Sequence, residues 1–231
     1  MSTLVHVYRL ASKPTEALPE ALLASLPEDE RRRILPLRRP QDRRNRALAY
    51  AAAFRLLHKH SGVATAHIHL VRNQWGKPEP VLPDGVPRLH MSLSHSAECV
   101  LVAIASCAIG VDVEAIRPVN MAAINRQMFP GDTGSADTPL AFHAVWTARE
   151  AVLKALGTGL SIEPSTLALG QPTPNFQALA SHPPGLGLED ARVAKLDMPE
   201  GYAGAVAAMH TAPRYILQHL GSADLHALAT C

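Results

Sequence analysis

Short runs of apolar residues, interrupted by longer stretches with apolar positions every three to four residues, describe a mixed α and β protein. Residues 4–8, LVHVY, predict a first strand. Residues 18–33 predict a helix that restarts at Pro27-Glu28-Asp29-Glu30, whose acids suit a first turn. Pro36 and Pro40 interrupt this run. Asp42 then caps a helix to about residue 60, with Ala47, Tyr50 or Ala51, Phe54 and Leu57 or His58 recurring at helical spacing and Gly62 ending it. Strands follow at 68–71, 91–93 and 100–105, the first two separated by a Pro- and Gly-rich stretch at 76–87 that reads as loop. Gly110 opens another strand over 111–116. A polar loop at 130–139 leads into a strong helix over 141–156, stopped by Gly157 and Gly159. In the tail, residues 167–169, 191–196 and 202–209 read as strands, the last of them, YAGAVAAM, small enough to be buried on both faces. Each half therefore holds helices and about three strands, which suggests two similar lobes.

Composition narrows this picture. Hydrophobic residues make up 47% of the 231 and charged residues 18%, enough for a core and against disorder, and with aromatics at 4% that core is built from Ala, Leu and Val. The three cysteines, Cys99, Cys107 and Cys231, form no CxxC pair and leave one over, which fits a reducing compartment, the cytoplasm. MSTLVHVYRL lacks the unbroken apolar core of a signal peptide, and the most apolar run, 99–113, is broken by Ser106 and Gly110 and too short for a bilayer; no membrane partner is expected. The net charge of +2 conceals an uneven distribution. Ten of the 22 Lys and Arg lie between Arg31 and His60 against a single acid, Asp42. That segment suits a polyanion, a phosphorylated small molecule or an acidic protein, or it is simply a solvated helix face.

Four motifs carry candidate chemistry. In GVDVE (Gly110 to Glu114), strand geometry turns Val111 and Val113 to one face and Asp112 and Glu114 to the other. Paired carboxylates of this kind suit Mg²⁺ with substrate phosphates, or a solvated acidic face. In WTAREAVLKALGTGL (Trp146 to Leu160), Trp146, Glu150 and Lys154 fall at i, i+4 and i+8 of one helix. Glu150 and Lys154 make a routine surface pair unless the Trp marks a stripe that meets another part of the protein. WGKPEP presents Lys77 on a turn. MSLSHS offers Ser94 or Ser96 and His95 as phosphate ligands, or as ordinary strand residues; adjacent positions point apart and no GxSxG elbow is present, which argues against a serine hydrolase.

The order GKP, SLSHS, GVDVE and then W-x-x-R-E-x-x-x-K-x-x-G-x-G-L resembles the 4′-phosphopantetheinyl transferase superfamily in its larger, Sfp-type branch, which serves polyketide and nonribosomal peptide synthetases. The resemblance implies an α+β pseudodimer of two α/β lobes, 1–107 and 108–231. Each lobe would have a small three-stranded sheet packed with helices, with the active site in the cleft between them. The implied reaction moves 4′-phosphopantetheine from coenzyme A to a serine of an acyl or peptidyl carrier protein of a polyketide, nonribosomal peptide or fatty-acid synthase, releasing adenosine 3′,5′-bisphosphate. By the same resemblance Asp112, Glu114 and Glu150 would hold Mg²⁺, and Lys154 would sit near the reacting phosphate, with Glu150 and His95 as further catalytic groups. Lys77, Ser94, His95, Arg46 and, in a weaker register, Arg31 would contact coenzyme A. The usual lysine before the helix glutamate is Arg149, which has no titratable amine and is assigned no catalytic role. The usual Phe-Asn before LSHS is Met91-Ser92. The apolar residues of segment 118–129, Met121, Ile124, Met128 and Phe129, would dock the carrier or else pack as an amphipathic helix on their own lobe. A monomer is expected, since two internal lobes remove the usual reason to dimerise, and nucleic acid is not an expected partner. The competing readings are a metal-dependent phosphodiesterase or nuclease using the same carboxylates, and a non-enzymatic polyanion-binding module.

Overall fold

The computed structural model describes residues 3–13, 20–120, 137–221 and 224. Along the chain lie β1 (Thr3–Ala11), α1 (Glu20–Ala24), α2 (Glu28–Ile34), α3 (Pro40–Ser61), β2 (His69–Arg72), β3 (Pro78–Val81), β4 (His90–Ser96), β5 (Cys99–Ala105), β6 (Ile109–Ala115), α4 (Pro139–Leu156), β7 (Gln177–Ala178), β8 (Ala191–Lys195), β9 (Tyr202–Met209) and β10 (Pro213–Leu220). The mixed α and β class is as expected. Two four-stranded sheets, ordered β10-β1-β5-β4 and β6-β9-β8-β7, form its centre, and β2 and β3 make a separate hairpin.

Both sheets therefore hold four strands where three were expected. In the first, the extra strand is β10, which returns from the C-terminal part of the chain to lie parallel to β1, Thr3 opposite Pro213 through Leu10 opposite Leu220. In the second it is the two-residue β7. The segment 167–169 is not a strand: Leu167 and Leu169 are buried, but the backbone makes only an isolated bridge, Ala168 with Ser181.

Alternation along the strands sorts the side chains into three cores. Tyr8, Leu10, Val100, Val102 and Ile104 face α3 and meet its buried Ala47, Ala51, Phe54 and Leu57. Val5, Val7, Leu101 and Ala103 point the other way and share a core with Val111, Val113, Val206 and Ala208 of the second sheet. Ala205, Ala207 and Val193 face α4, where Ala148, Ala151 and Val152 cover them. β5, CVLVAIA, is buried on both faces because it lies between a helix and a sheet.

Helix ends follow local chemistry, with one departure. Pro40 occupies the first turn of α3, so Asp42 lies inside the helix and is not its cap; Arg39 is the N-cap and makes no side-chain bond. Thr138 caps α4 by accepting from the Ala141 amide, and Gly62 and Gly157, both left-handed, close α3 and α4. Among the described residues no helix is long and apolar enough to cross a membrane. The candidate carrier-docking residues Met121, Ile124, Met128 and Phe129 lie outside the described residues.

Candidate active site

Three serines join the edges of the two sheets. Ser92, Ser94 and Ser96 alternate along β4 and share one face. Their hydroxyls accept the backbone N–H groups of Val111 (3.0 Å), Val113 (3.3 Å) and Ala115 (3.0 Å) on β6, so side chains stand in for the ladder that two edge strands would otherwise form. Ser94 donates in turn to Asp112 Oδ1 and Ser96 to Glu114 Oε2, both at 2.8 Å. Ser94 thus has its hydroxyl directed at β6.

On β6, Val111 and Val113 enter the core between the sheets, and Gly110, Asp112 and Glu114 face α4. A Cβ on Gly110 would lie 2.0 Å from Ala151 O and 2.4 Å from Ala155 N, so the helix rests directly on strand backbone there. That contact brings Lys154 over Asp112: its Nζ donates to Asp112 Oδ1 at 2.7 Å and to Ser94 Oγ at 3.0 Å. Asp112 is only 3% exposed, and its Oδ2 has no hydrogen-bond partner among the described residues. Glu150 lies one turn before Lys154. Burial raises the Glu150 carboxyl above the usual range, and the charges of Asp112 and Glu114 raise it further against the opposing pull of Lys154. Burial likewise raises Glu114, with Asp112 adding to the rise and Ser96 opposing it.

These carboxylates have the donor chemistry of a hard-cation site, and the bare, buried Oδ2 beside mutually repelling carboxylates is what a bound cation would satisfy. Among the described residues, no group of three or more His, Cys, Asp or Glu side chains is already poised around one metal position. Asp112 is turned to Lys154 through its other oxygen.

Beside the carboxylates opens a cavity of about 260 Å³, whose lining includes Arg46, Tyr50, Trp75, Lys77, His95 and Lys154. It draws Arg46 from α3 and Lys154 from α4 together with the His95 imidazole of β4. Burial, then the cations Lys154 and Arg46, lower the His95 pKa against the pull of Asp42 and Asp112. Lys77 lines the wall with its stem, but its ammonium donates to Ile109 O at 3.1 Å and Ala155 O at 3.4 Å, and burial pushes its pKa down to about 8. Arg31 is not among the lining residues and pairs with Glu28 on α2. Arg149 is buried, its Nε donating to Leu167 O at 2.9 Å, in keeping with a packing role. Met91 is buried against α3, and Ser92 belongs to the serine ladder.

Sequence reasoning missed Arg72. Its Nη2 donates to both oxygens of Glu30, at 2.8 and 2.7 Å, and to Tyr50 Oη at 2.9 Å, and its Nη1 donates to Gly76 O at 3.3 Å. Glu30, 4% exposed, is a buried acid in the first turn of α2, and no local pattern links it to a residue 42 positions away. The serine ladder did leave a signal, three serines at period two, but its partner strand could not be read locally.

Fold and site together describe an α/β protein with an anion-suited cavity against a carboxylate cluster. Residues 108–206, the stretch that carries those carboxylates and α4, match the family model described as the 4′-phosphopantetheinyl transferase superfamily. Curated relatives agree. The 4′-phosphopantetheinyl transferase psf-1 of Bacillus pumilus is 32% identical over 93 residues, 37% of this chain and 39% of that protein. A 4′-phosphopantetheinyl transferase of Bacillus subtilis is 29% identical over 108 residues, 44% and 46% of the two chains, and Sfp of Bacillus subtilis strain 168 is 30% identical over 103 residues, 41% and 44%. The chain thus spans less than half the length of these curated relatives. The likeness to the Sfp-type branch, read from the order of four motifs, is borne out by these matches.

Proposed function

We propose that the protein is a 4′-phosphopantetheinyl transferase. It would move 4′-phosphopantetheine from coenzyme A to a serine of an acyl or peptidyl carrier protein, converting apo carrier to holo carrier and releasing adenosine 3′,5′-bisphosphate. On this reading the two sheet-and-helix halves act as lobes of a pseudodimer with the active site between them. The observation that carries it is the Lys154–Asp112 pair, which seats an ammonium and a buried carboxylate with one open oxygen where the cationic cavity meets the acidic residues.

Asp112, Glu114 and Glu150 would hold Mg²⁺, which when bound supplies charge neutralisation and orientation of the pyrophosphate oxygens. Arg46 and His95 bind phosphate oxygens along the cavity wall. Lys154 offsets the negative charge that builds on the leaving phosphate, a preorganised electrostatic contribution. The carrier serine Oγ forms a bond to the β-phosphorus while the bond from that phosphorus to the bridging oxygen breaks, and adenosine 3′,5′-bisphosphate departs with that oxygen. The serine proton passes to a carboxylate oxygen of Glu150, the first of the three acids on α4 and β6 to fill that role.

Incubation with coenzyme A, Mg²⁺ and an apo carrier domain, read by intact mass, tests this. The carrier should gain one phosphopantetheine group. An unchanged carrier mass overturns the proposal, and cleavage of coenzyme A without any carrier would favour the metal-dependent phosphodiesterase.

A further inference from the structure

The turn between β2 and β3 is tied to both halves of the molecule. Asn73 organises it from within, its Oδ1 accepting the amides of Trp75 and Lys77, both at 3.0 Å. On one side Arg72 binds Gly76 O and anchors to Glu30 of α2 and Tyr50 of α3. On the other, Asn73 Nδ2 donates to Gly157 O at 2.8 Å, and Lys77 Nζ donates to Ala155 O in the last turn of α4 and to Ile109 O at the start of β6. Carbonyls at a helix C-terminus lack intrahelical partners and attract a cation through the helix dipole. Here an ammonium and an amide from a distant hairpin supply both needs. The approach is close: a Cβ on Gly157 would lie 2.9 Å from Asn73 Nδ2 and 3.4 Å from Lys77 Cδ.

We propose that residues 72–77 are a clasp between the halves, in which Asn73 and Lys77 are positioning residues that act through the C-terminal turn of α4. They would set Lys154, and with it Glu150, against Asp112; this catalytic consequence rests on the transferase reading above. Lys77 cannot serve the clasp and a substrate phosphate at once, because reaching the cavity would withdraw its ammonium from the two carbonyls it now holds.

The test compares Asn73→Ala and Lys77→Met with the parent chain in two measurements. Without substrate, hydrogen exchange at amides 156–159 should quicken about tenfold in both variants, as expected when a local anchor is lost. With coenzyme A, Mg²⁺ and apo carrier, kcat should fall about tenfold from misplacement of α4. The Kd for adenosine 3′,5′-bisphosphate, measured by calorimetry, should stay within about threefold. Unchanged exchange in both variants overturns the clasp. A Kd raised about tenfold by Lys77→Met, with Asn73→Ala inert, overturns the positioning role and makes Lys77 a phosphate ligand. If Asn73→Ala does not fold, Asn73→Asp keeps the acceptor for the two turn amides, loses the donor to Gly157 O and takes its place. A parent chain that transfers nothing would sink the transferase reading, and the exchange measurement would still decide the clasp.

Discussion

Replacing Gly110 by Ala places one methyl group against backbone that has nowhere to go. The new Cβ would sit 2.0 Å from Ala151 O, 2.4 Å from Ala155 N and 2.9 Å from Lys154 Cβ, whereas ordinary contact begins near 3.4 Å. Either α4 or β6 must retreat by roughly 1.4 Å, and two of the three obstructing atoms belong to helix backbone and cannot rotate aside. Overpacking of this kind costs about 1–3 kcal/mol, and the backbone clash puts this site at the upper end, about 3 kcal/mol. For a chain of this size that lowers Tm by about 6–12 °C. The same retreat pulls Lys154 Nζ from its 2.7 Å contact with Asp112, and a misplacement of about 1 Å can slow catalysis about 10²-fold. Thermal unfolding followed by circular dichroism and carrier modification followed by intact mass would measure the two effects. Gly62→Ala is the control, because a Cβ there meets nothing within 4 Å and only its φ of +74° is strained; it should lose about 1 kcal/mol and no transfer. A Gly110→Ala protein with Tm within about 2 °C of the parent and undiminished transfer would refute the reasoning.

Glu150→Gln should abolish transfer yet raise Tm at pH 7 in the presence of a chelator. The folded-state pKa of Glu150 is raised, so its favourable contribution is present below its unfolded value near 4.5 and is lost as pH rises through the folded value. The Tm gain of the variant should therefore vanish by about pH 4, and a loss of stability at pH 7 would contradict the burial argument. Mg²⁺ should raise the Tm of the parent and not of the variant, and an equal shift in both would remove Glu150 from the proposed metal set. Glu30→Leu should cost about 3 kcal/mol by leaving Arg72 half-buried beside Tyr50 without its carboxylate, measurable by urea unfolding. Ending the chain after Met209 removes β10 and should leave the protein insoluble, since Tyr215 and Leu217 leave the core between the sheets; a soluble, cooperatively folding product would show that the first sheet closes without it.

Legibility in the sequence followed the range of the interactions. The two faces of β6 were readable because strand alternation is local, and they came out as expected, valines inward and carboxylates toward α4. The stripe of α4 that carries Glu150 and Lys154 was readable for the same reason. Pro78 and Pro80 disguised β3, because proline removes ladder donors; the strand survives as one arm of an isolated hairpin. In β10 the apolar residues do not mark one face: Tyr215 and Leu217 enter the core while Ile216 is 44% exposed, and the strand's partner lies at the other end of the chain. The motifs name candidate residues, but not where each points. Sequence gives Lys77 a charge, and the direction of that charge depends on Asn73 folding the turn toward Gly157 O. Arg31 and Arg46 are equally basic, and only α3 brings one of them to the cavity.

The path of β10 has a consequence for how the protein is made. β1, β4 and β5 emerge early, but the neighbour that completes β1 is among the last described residues to be synthesised. Between Ala105 and Leu220 a ribosome needs on the order of ten seconds, during which the open edge of β1 has no native strand to pair with. An unpaired edge of apolar sequence is a template for pairing with other chains. Folding of the first sheet is therefore tied to completion of the second, and a slow codon, a stalled ribosome or a fusion that hinders β10 would penalise the N-terminal half first.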